Sequence, residues 1–179
     1  MFFKKEDKQI KIIYQNIIQK SRSKFFYLDL KLSDDFESRF DLIIFHAFII
    51  FFYYKNLGAN KSSVPQDLFD LMFGDFENNL REMGFGDIAV NKKMKVFITA
   101  FYGRIAQYSK GIEIYRSNGD NSLLRKTILN NIYKGKEQPD QYLTYFIDYM
   151  TENINHFLKN SEVDNLKDSF NYINIKYER

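Results

Sequence analysis

The chain has no cysteine, and that absence removes two classes of chemistry at once. Without thiols there is neither a disulfide framework nor a thiolate metal site. Histidine is almost as scarce. His46 and His156 are the only two, which leaves little to ligate a transition metal or to stand beside a nucleophilic serine. Proline and glycine number two and eight in 179 residues, so turn signals are sparse and long helices are favoured over a strand-and-turn fold. Charge of one sign is also lacking: 26 basic against 23 acidic residues leave a formal net charge of +3. That balance permits an acidic partner or a membrane surface but does not demand nucleic acid. The N-terminal residues carry no signal-peptide pattern, and Glu6 and Asp7 break the acid-poor pattern of a transit peptide. The expectation is a cytoplasmic protein of an AT-rich bacterium. Its Ile, Lys, Asn, Phe and Tyr all have AT-rich codons, so the 19 Phe and 13 Tyr do not by themselves indicate a ligand site.

What is present is led by the run Leu42–Tyr54, apolar or aromatic throughout except at His46. Its 13 residues fall well short of the roughly 20 that a bilayer needs. Arg39, Asp41 and Lys55 bracket it closely. A helix apolar on all sides belongs in the middle of a bundle, clasped by other helices. The expectation is therefore a central helix over 36–54. In such a place His46 reads as a core histidine hydrogen-bonded to a nearby acceptor rather than as a base or a metal ligand.

Helical spacing recurs along the chain. Ile10, Ile13, Ile17 and Ile18 predict a helix over 6–21. The segment Ser21–Leu32 breaks the period and reads as an extended connector that packs Phe25, Phe26 and Leu28 onto the domain. Asp34 with Glu37, and Ser63 with Gln66, form capping-box patterns, and Pro65 suits a first helical turn. Gly58 is placed as a left-handed cap ending the central helix. A third helix carries Leu68, Met72, Phe76, Leu80 and Met83 and stops at Gly84. A fourth, opened by the lysine-rich Asn91–Lys95, carries the stripe Met94, Phe97, Ile98, Phe101, Ile105, Tyr108, Ile112. Gly103 interrupts it at a cost of about 1 kcal/mol relative to alanine, which a close helix crossing would justify. Further helices follow with Leu124, Ile128 and Ile132, and, opened by Pro139 and Asp140, with Leu143, Phe146, Ile147, Met150, Ile154 and Phe157. Ser161 and Asp164 point to a last short helix bearing Leu166 and Phe170, and the final residues read as frayed. The fold class is all-α: one domain over 1–179, an irregular bundle of about six or seven helices around the central hydrophobic one, with a more variable tail after about 160.

Candidate chemistry is thin. Gly84–Ala89 matches G-x-G-x-x-A, but a helical period precedes it where a dinucleotide site requires a strand, so it reads as a tight inter-helix corner. The acids Asp67, Asp70, Asp75, Glu77, Glu82 and Asp87 are scattered rather than converging. No catalytic set, cofactor site or metal site is expected, and the chain reads as a non-enzyme.

The stretch Leu68–Tyr108, above all "NLREMGFGD" (Asn79–Asp87) and "AFYGR" (Ala100–Arg104), together with the upstream "SRFDLIIFHAF" (Ser38–Phe48), resembles the ubiquinol–cytochrome c chaperone family. The resemblance implies an all-helical fold and a role in assembling respiratory complex III. The expected client is newly made cytochrome b, with a ribosome contact and a small accessory subunit as further partners. It implies no catalytic residue. A soluble chaperone of a multi-span membrane protein needs an apolar surface bordered by polar groups, suited to helix-in-groove docking. Met72, Met83 and Met94 flank the motif loop, where flexible thioethers suit such a surface or simply fill the core. Phe85 stands in the loop itself. Arg81, Glu82, Asp87 and Arg104 form either a recognition rim or an internal salt-bridge lock of the helix corner. Lys92 and Lys93 either meet phosphate, an acidic ribosomal surface or lipid headgroups, or face water. An RNA- or ribosome-binding module is the competing reading, and a small apolar-ligand protein a more distant one. DNA is not expected as a partner, and membrane contact would be peripheral at most, at the inner face of the membrane.

Overall fold

The computed structural model describes residues 5–57, 62–160 and 170–177. Seven helices and no strand occur among them: α1 (Lys5–Ser21), α2 (Lys24–Leu28), α3 (Phe36–Asn56), α4 (Val64–Glu82), α5 (Asp87–Asn118), α6 (Ser122–Ile132) and α7 (Asp140–Lys159). Among the described residues no helix is long and apolar enough to cross a membrane.

The apolar run forms the pillar of the bundle. α3 packs against α1, α4, α5, α6 and α7, and Leu42, Ile44, Phe45 and Ala47–Ile50 are wholly removed from solvent. Burying each such large side chain stabilises the fold by about 1.5–3 kcal/mol. This helix needs no amphipathic phase, because covering arrives from every direction. His46 sits on it, fully buried, with Nδ1 2.7 Å from the Leu42 carbonyl oxygen and 3.0 Å from Ser21 Oγ. The rings of Phe26, Phe45, Tyr149 and Tyr172 meet it edge-on.

Local details differ from the sequence expectations in instructive ways. α3 is capped by Asp35, not Asp34: the Asp35 carboxylate accepts from the Ser38 N–H at 2.8 Å. Asp34 pairs instead with Arg39 at 2.8 Å. Ser63 does precede α4, but no side-chain capping bond forms there, and Gln66 donates to Asp70 at 2.8 Å. The supposed extended connector contains the short helix α2, which drives Phe26 into the core while Leu28 stays 63% exposed. α5 begins at Asp87, a full turn before the lysines that were expected to open it. Gly58 and the short helix expected around Ser161–Leu166 lie outside the described residues. Phe170 is buried, and within residues 171–177 the side chains of Tyr172, Ile175 and Tyr177 pack against the core rather than fray. The Tyr172 hydroxyl donates to the His46 carbonyl at 2.7 Å, and the Ile173 N–H donates to Asn153 Oδ1 at 2.8 Å.

The close crossing expected at Gly103 occurs at Gly111. A Cβ placed on Gly111 would lie 2.7 Å from Leu124 Cδ2, so the missing side chain is what lets α6 lie on α5. A Cβ on Gly103 would meet nothing within 4 Å.

Candidate functional site

The family-like motif builds the corner between α4 and α5. α4 ends in a left-handed glycine: Gly84 has φ 86°, its N–H donates to the Arg81 carbonyl at 2.9 Å, and the Phe85 N–H donates to the Leu80 carbonyl at 3.2 Å. This pair of bonds satisfies carbonyls that the helix end would otherwise leave bare. Gly86, in extended backbone, then caps α5. The G-F-G-D segment therefore links two helices, not the strand and helix between which the dinucleotide motif lies. Arg81 bonds Asp87 across the corner and Glu77 one turn back at 2.8 Å. Asp87 also sits in the first turn of α5, where the helix dipole favours an anion. Glu82 is exposed and Phe85 half-buried, with the Lys93 ammonium 4.7 Å from its ring centroid. Lys92 is exposed beside it.

The proposed site residues thus fall into three groups. Arg81, Glu82, Met83, Phe85, Asp87, Lys92 and Lys93 share one surface corner. Met72 is fully buried beneath it in the core. Arg104 stands apart, three turns along α5 from the lysines, and its guanidinium reaches inward to Asp41 of α3 at 2.7 Å.

Asp41 is 1% exposed and is held from the other side by the Lys134 ammonium. Burial pushes its carboxyl up, while Arg104 and Lys134 pull it back toward ionisation. Tyr108 is buried nearby; burial first and the Asp41 carboxylate second raise its hydroxyl far above the usual range. Lys134 reaches this point from a left-handed backbone position (φ 56°) just beyond α6. Two helices and the turn after α6 thus meet at one buried carboxylate. The sequence reading missed both Asp41 and Lys134 as partners. The visible signal was an acid placed inside the turn that begins the apolar run, four residues ahead of Phe45.

Exposed apolar side chains also lie here, and apart from Met83 the sequence reading passed over them. Met83 is 59% exposed, Ile88 88%, Val96 59% and Tyr102 58%. Ile88, Val96 and Tyr102 fall outside the α5 stripe that faces the core, so their periodicity marks them as outward-facing. Elsewhere, a groove of about 370 Å³ runs between α1 and α4, lined in part by Lys11, Tyr14, Asp70 and Asp75. It is open to solvent, and the Tyr14 hydroxyl closes its floor with a 2.7 Å bond to Asp75.

Among the described residues the charged side chains of this arrangement pair with one another and do not converge on a common cleft. His46 is pulled down to about 3 by burial, so its imidazole is neutral at physiological pH and out of reach of any solute. Among the described residues there is no group of three or more His, Cys, Asp or Glu able to hold a metal ion.

The described residues thus form an all-helical bundle with an exposed, partly apolar corner at the family-like motif. The ubiquinol–cytochrome C chaperone family pattern matches residues 28–170, most of the chain, and the chain belongs to that family. It is similar to the ubiquinol–cytochrome c reductase complex assembly factor 1 of Mus musculus, 23% identical over 133 residues that make up 74% of this chain and 45% of that protein. The same factor of Homo sapiens is 22% identical over 144 residues, 80% of this chain and 46% of that one. The chain spans less than half the length of these curated relatives. A crystal structure of the Cbp3 homolog from Brucella abortus superposes with a TM-score of 0.78 at 24% identity, covering 93% of this chain and 89% of that chain, and shows the same fold.

Proposed function

We propose that this protein is a non-enzymatic assembly chaperone for respiratory complex III, acting at the inner face of the membrane, and that it holds newly made cytochrome b through the α4–α5 corner. The observation that carries this reading is the place of the family motif. Its most specific stretch, Asn79–Asp87, supplies an exposed corner with Met83 and Phe85 on it, while the "AFYGR" arginine is spent inside. An exposed thioether and a half-buried ring, bordered by Arg81, Glu82, Asp87, Lys92 and Lys93, suit a client that is apolar around most of its circumference. Such a surface binds without strict sequence readout. The open groove and the absence of a converging catalytic set among the described residues agree with holding rather than turnover.

Arg81 then serves as rim more than as lock. Its ion pairs are solvent-exposed, and exposed pairs contribute little to stability. Arg81→Ala should leave the melting transition nearly unchanged and weaken client capture. The direct test is photocrosslinking in cells from a reactive residue placed at Phe85, followed by identification of the captured protein. Cytochrome b among the adducts is the expected result. Recovery of soluble proteins with cytochrome b absent rejects the reading, as would normal complex III levels in a strain lacking the gene.

A further inference from the structure

The outer side of α5 is not used by the bundle. Ile88, Lys92, Lys95, Thr99, Tyr102 and Ala106 follow one another at alternating steps of four and three residues, and all are exposed. They therefore form one outward line about 27 Å long at 1.5 Å per residue. Val96 and Gly103 lie on the adjacent line, also exposed, and a Cβ on Gly103 would meet nothing from the rest of the bundle within 4 Å. From Ile88 to Ile112 the helix carries Lys92, Lys93, Lys95, Arg104 and Lys110 and no acid at all. The acids within α5 at its two ends are paired, Asp87 with Arg81 and Glu113 with Lys55 at 2.6 Å, while Glu82 lies exposed at the end of α4. Asp70 and Asp75 of α4 line the groove on its far side, against α1. The strip is thus apolar and cationic together: Arg104 is turned inward to Asp41, and Lys92, Lys93 and Lys95 carry its outward charge.

We infer that this face of α5 rests on an anionic lipid bilayer. A helix lying in the interface needs apolar side chains to enter the headgroup boundary and lysines to meet anionic lipids beside them. Ile88 and Val96 are the inserting groups. Tyr102, braced by the Phe69 ring at 5.8 Å, offers an apolar body with a polar tip, the form that collects at membrane interfaces. The flat stretch at Gly103 lets the helix lie close. Charge complementarity selects this occupant: exposed Lys95, a turn beyond the corner, and exposed Lys92 at its edge are placed to meet lipid phosphates beside the inserted Ile88 and Val96. The inference is independent of which client the corner holds, since it requires only lipid.

Purified protein, with no client present, would be floated with vesicles of phosphatidylcholine alone and of phosphatidylcholine mixed with phosphatidylglycerol. Binding to the mixed vesicles, weak binding to the neutral ones, and release by added salt are expected. Lys92→Gln with Lys95→Gln should cost about fivefold per lysine, about 25-fold together. Lys8→Gln with Lys24→Gln, an equal charge change on α1 and α2, should leave binding nearly intact. Ile88→Asp with Val96→Asp should abolish it while thermal unfolding stays unaltered, because both side chains are exposed. The inference is overturned if the wild-type protein ignores the mixed vesicles, if the two lysine pairs weaken binding equally, or if the protein binds RNA with a steep salt dependence and leaves the vesicles alone. Failure here leaves the crosslinking test of the client untouched.

Discussion

α3 and α5 are the contrasting pair of this molecule. α3 is 21 residues long, nearly all apolar in its middle, and enclosed by five other helices. α5 is 32 residues long, covered along one side by α3, α4 and α6, and bare along the other. On α3 an apolar residue is interior wherever it points. On α5 the same residue types divide by phase: Phe101, Tyr108 and Ile112 go inward, whereas Ile88, Val96 and Tyr102 go outward. Hydrophobicity alone therefore locates the pillar, but only phase and covering distinguish core from contact surface. Two polar bridges tie the bare helix to the buried one: Arg104 to the buried Asp41, and the exposed pair Glu113 to Lys55.

The sharpest way to break this contrast is to truncate equivalent apolar residues on each helix. Phe45→Ala should cost about 3–5 kcal/mol in urea unfolding, the range for emptying a buried aromatic site. Ile88→Ala should stay within about 0.5 kcal/mol, as surface changes do. Equal losses would mean that α5 is covered in solution by something the bundle supplies.

Next in size is the bridge. Arg104→Ala leaves the buried Asp41 with Lys134 alone and should cost about 3 kcal/mol, the lower end for breaking a buried pair. Adding Asp41→Leu should recover part of that loss, because the stranded carboxylate goes with it. A double variant less stable than Arg104→Ala would show that the carboxylate supports the fold through other groups.

His46 gives a smaller effect with a definite sign. Its folded value, about 3, lies below the ordinary 6.5, so the unfolded chain binds the proton first as pH falls. Stability contributed by the neutral ring is complete above about 6.5 and is lost progressively toward pH 3. Between pH 7 and pH 5 this amounts to about 2 kcal/mol. The stability–pH slope of His46→Leu over that interval should be correspondingly shallower, whatever its absolute stability.

The two glycines of α5 make the finest comparison. Gly103→Ala should stabilise by up to about 1 kcal/mol, since alanine is the better helix former and meets no neighbour. Gly111→Ala gains the same propensity but pushes on buried Leu124, where overpacking costs about 1–3 kcal/mol, for a net loss of about 1 kcal/mol. Melting temperatures that move in opposite directions would confirm which glycine serves the crossing.

Much of this fold was legible because an uninterrupted apolar run and strong helical periods admit few arrangements. The corner was legible too: glycines flanking one residue after a helical period make a turn. Boundaries were not. Asp34 and Asp35 are chemically equal as caps, and only backbone geometry chose between them. The same holds for Gly103 and Gly111, which differ in what another helix brings near. Arg104 looked like a member of the corner because it lies in the motif, but its partner Asp41 is far away in sequence, and the other cation on that carboxylate, Lys134, lies 93 residues from Asp41.

The amino-acid order by itself determined that α3 is interior and that the chain is helical, because no polar side was available to face water and no strand alternation was written. The tertiary structure decided which helices cover α3, which carboxylate Arg104 answers, and which side of α5 stays open. Those outcomes depend on distances between residues remote in sequence, and burial and pairing energies exist only once those residues meet.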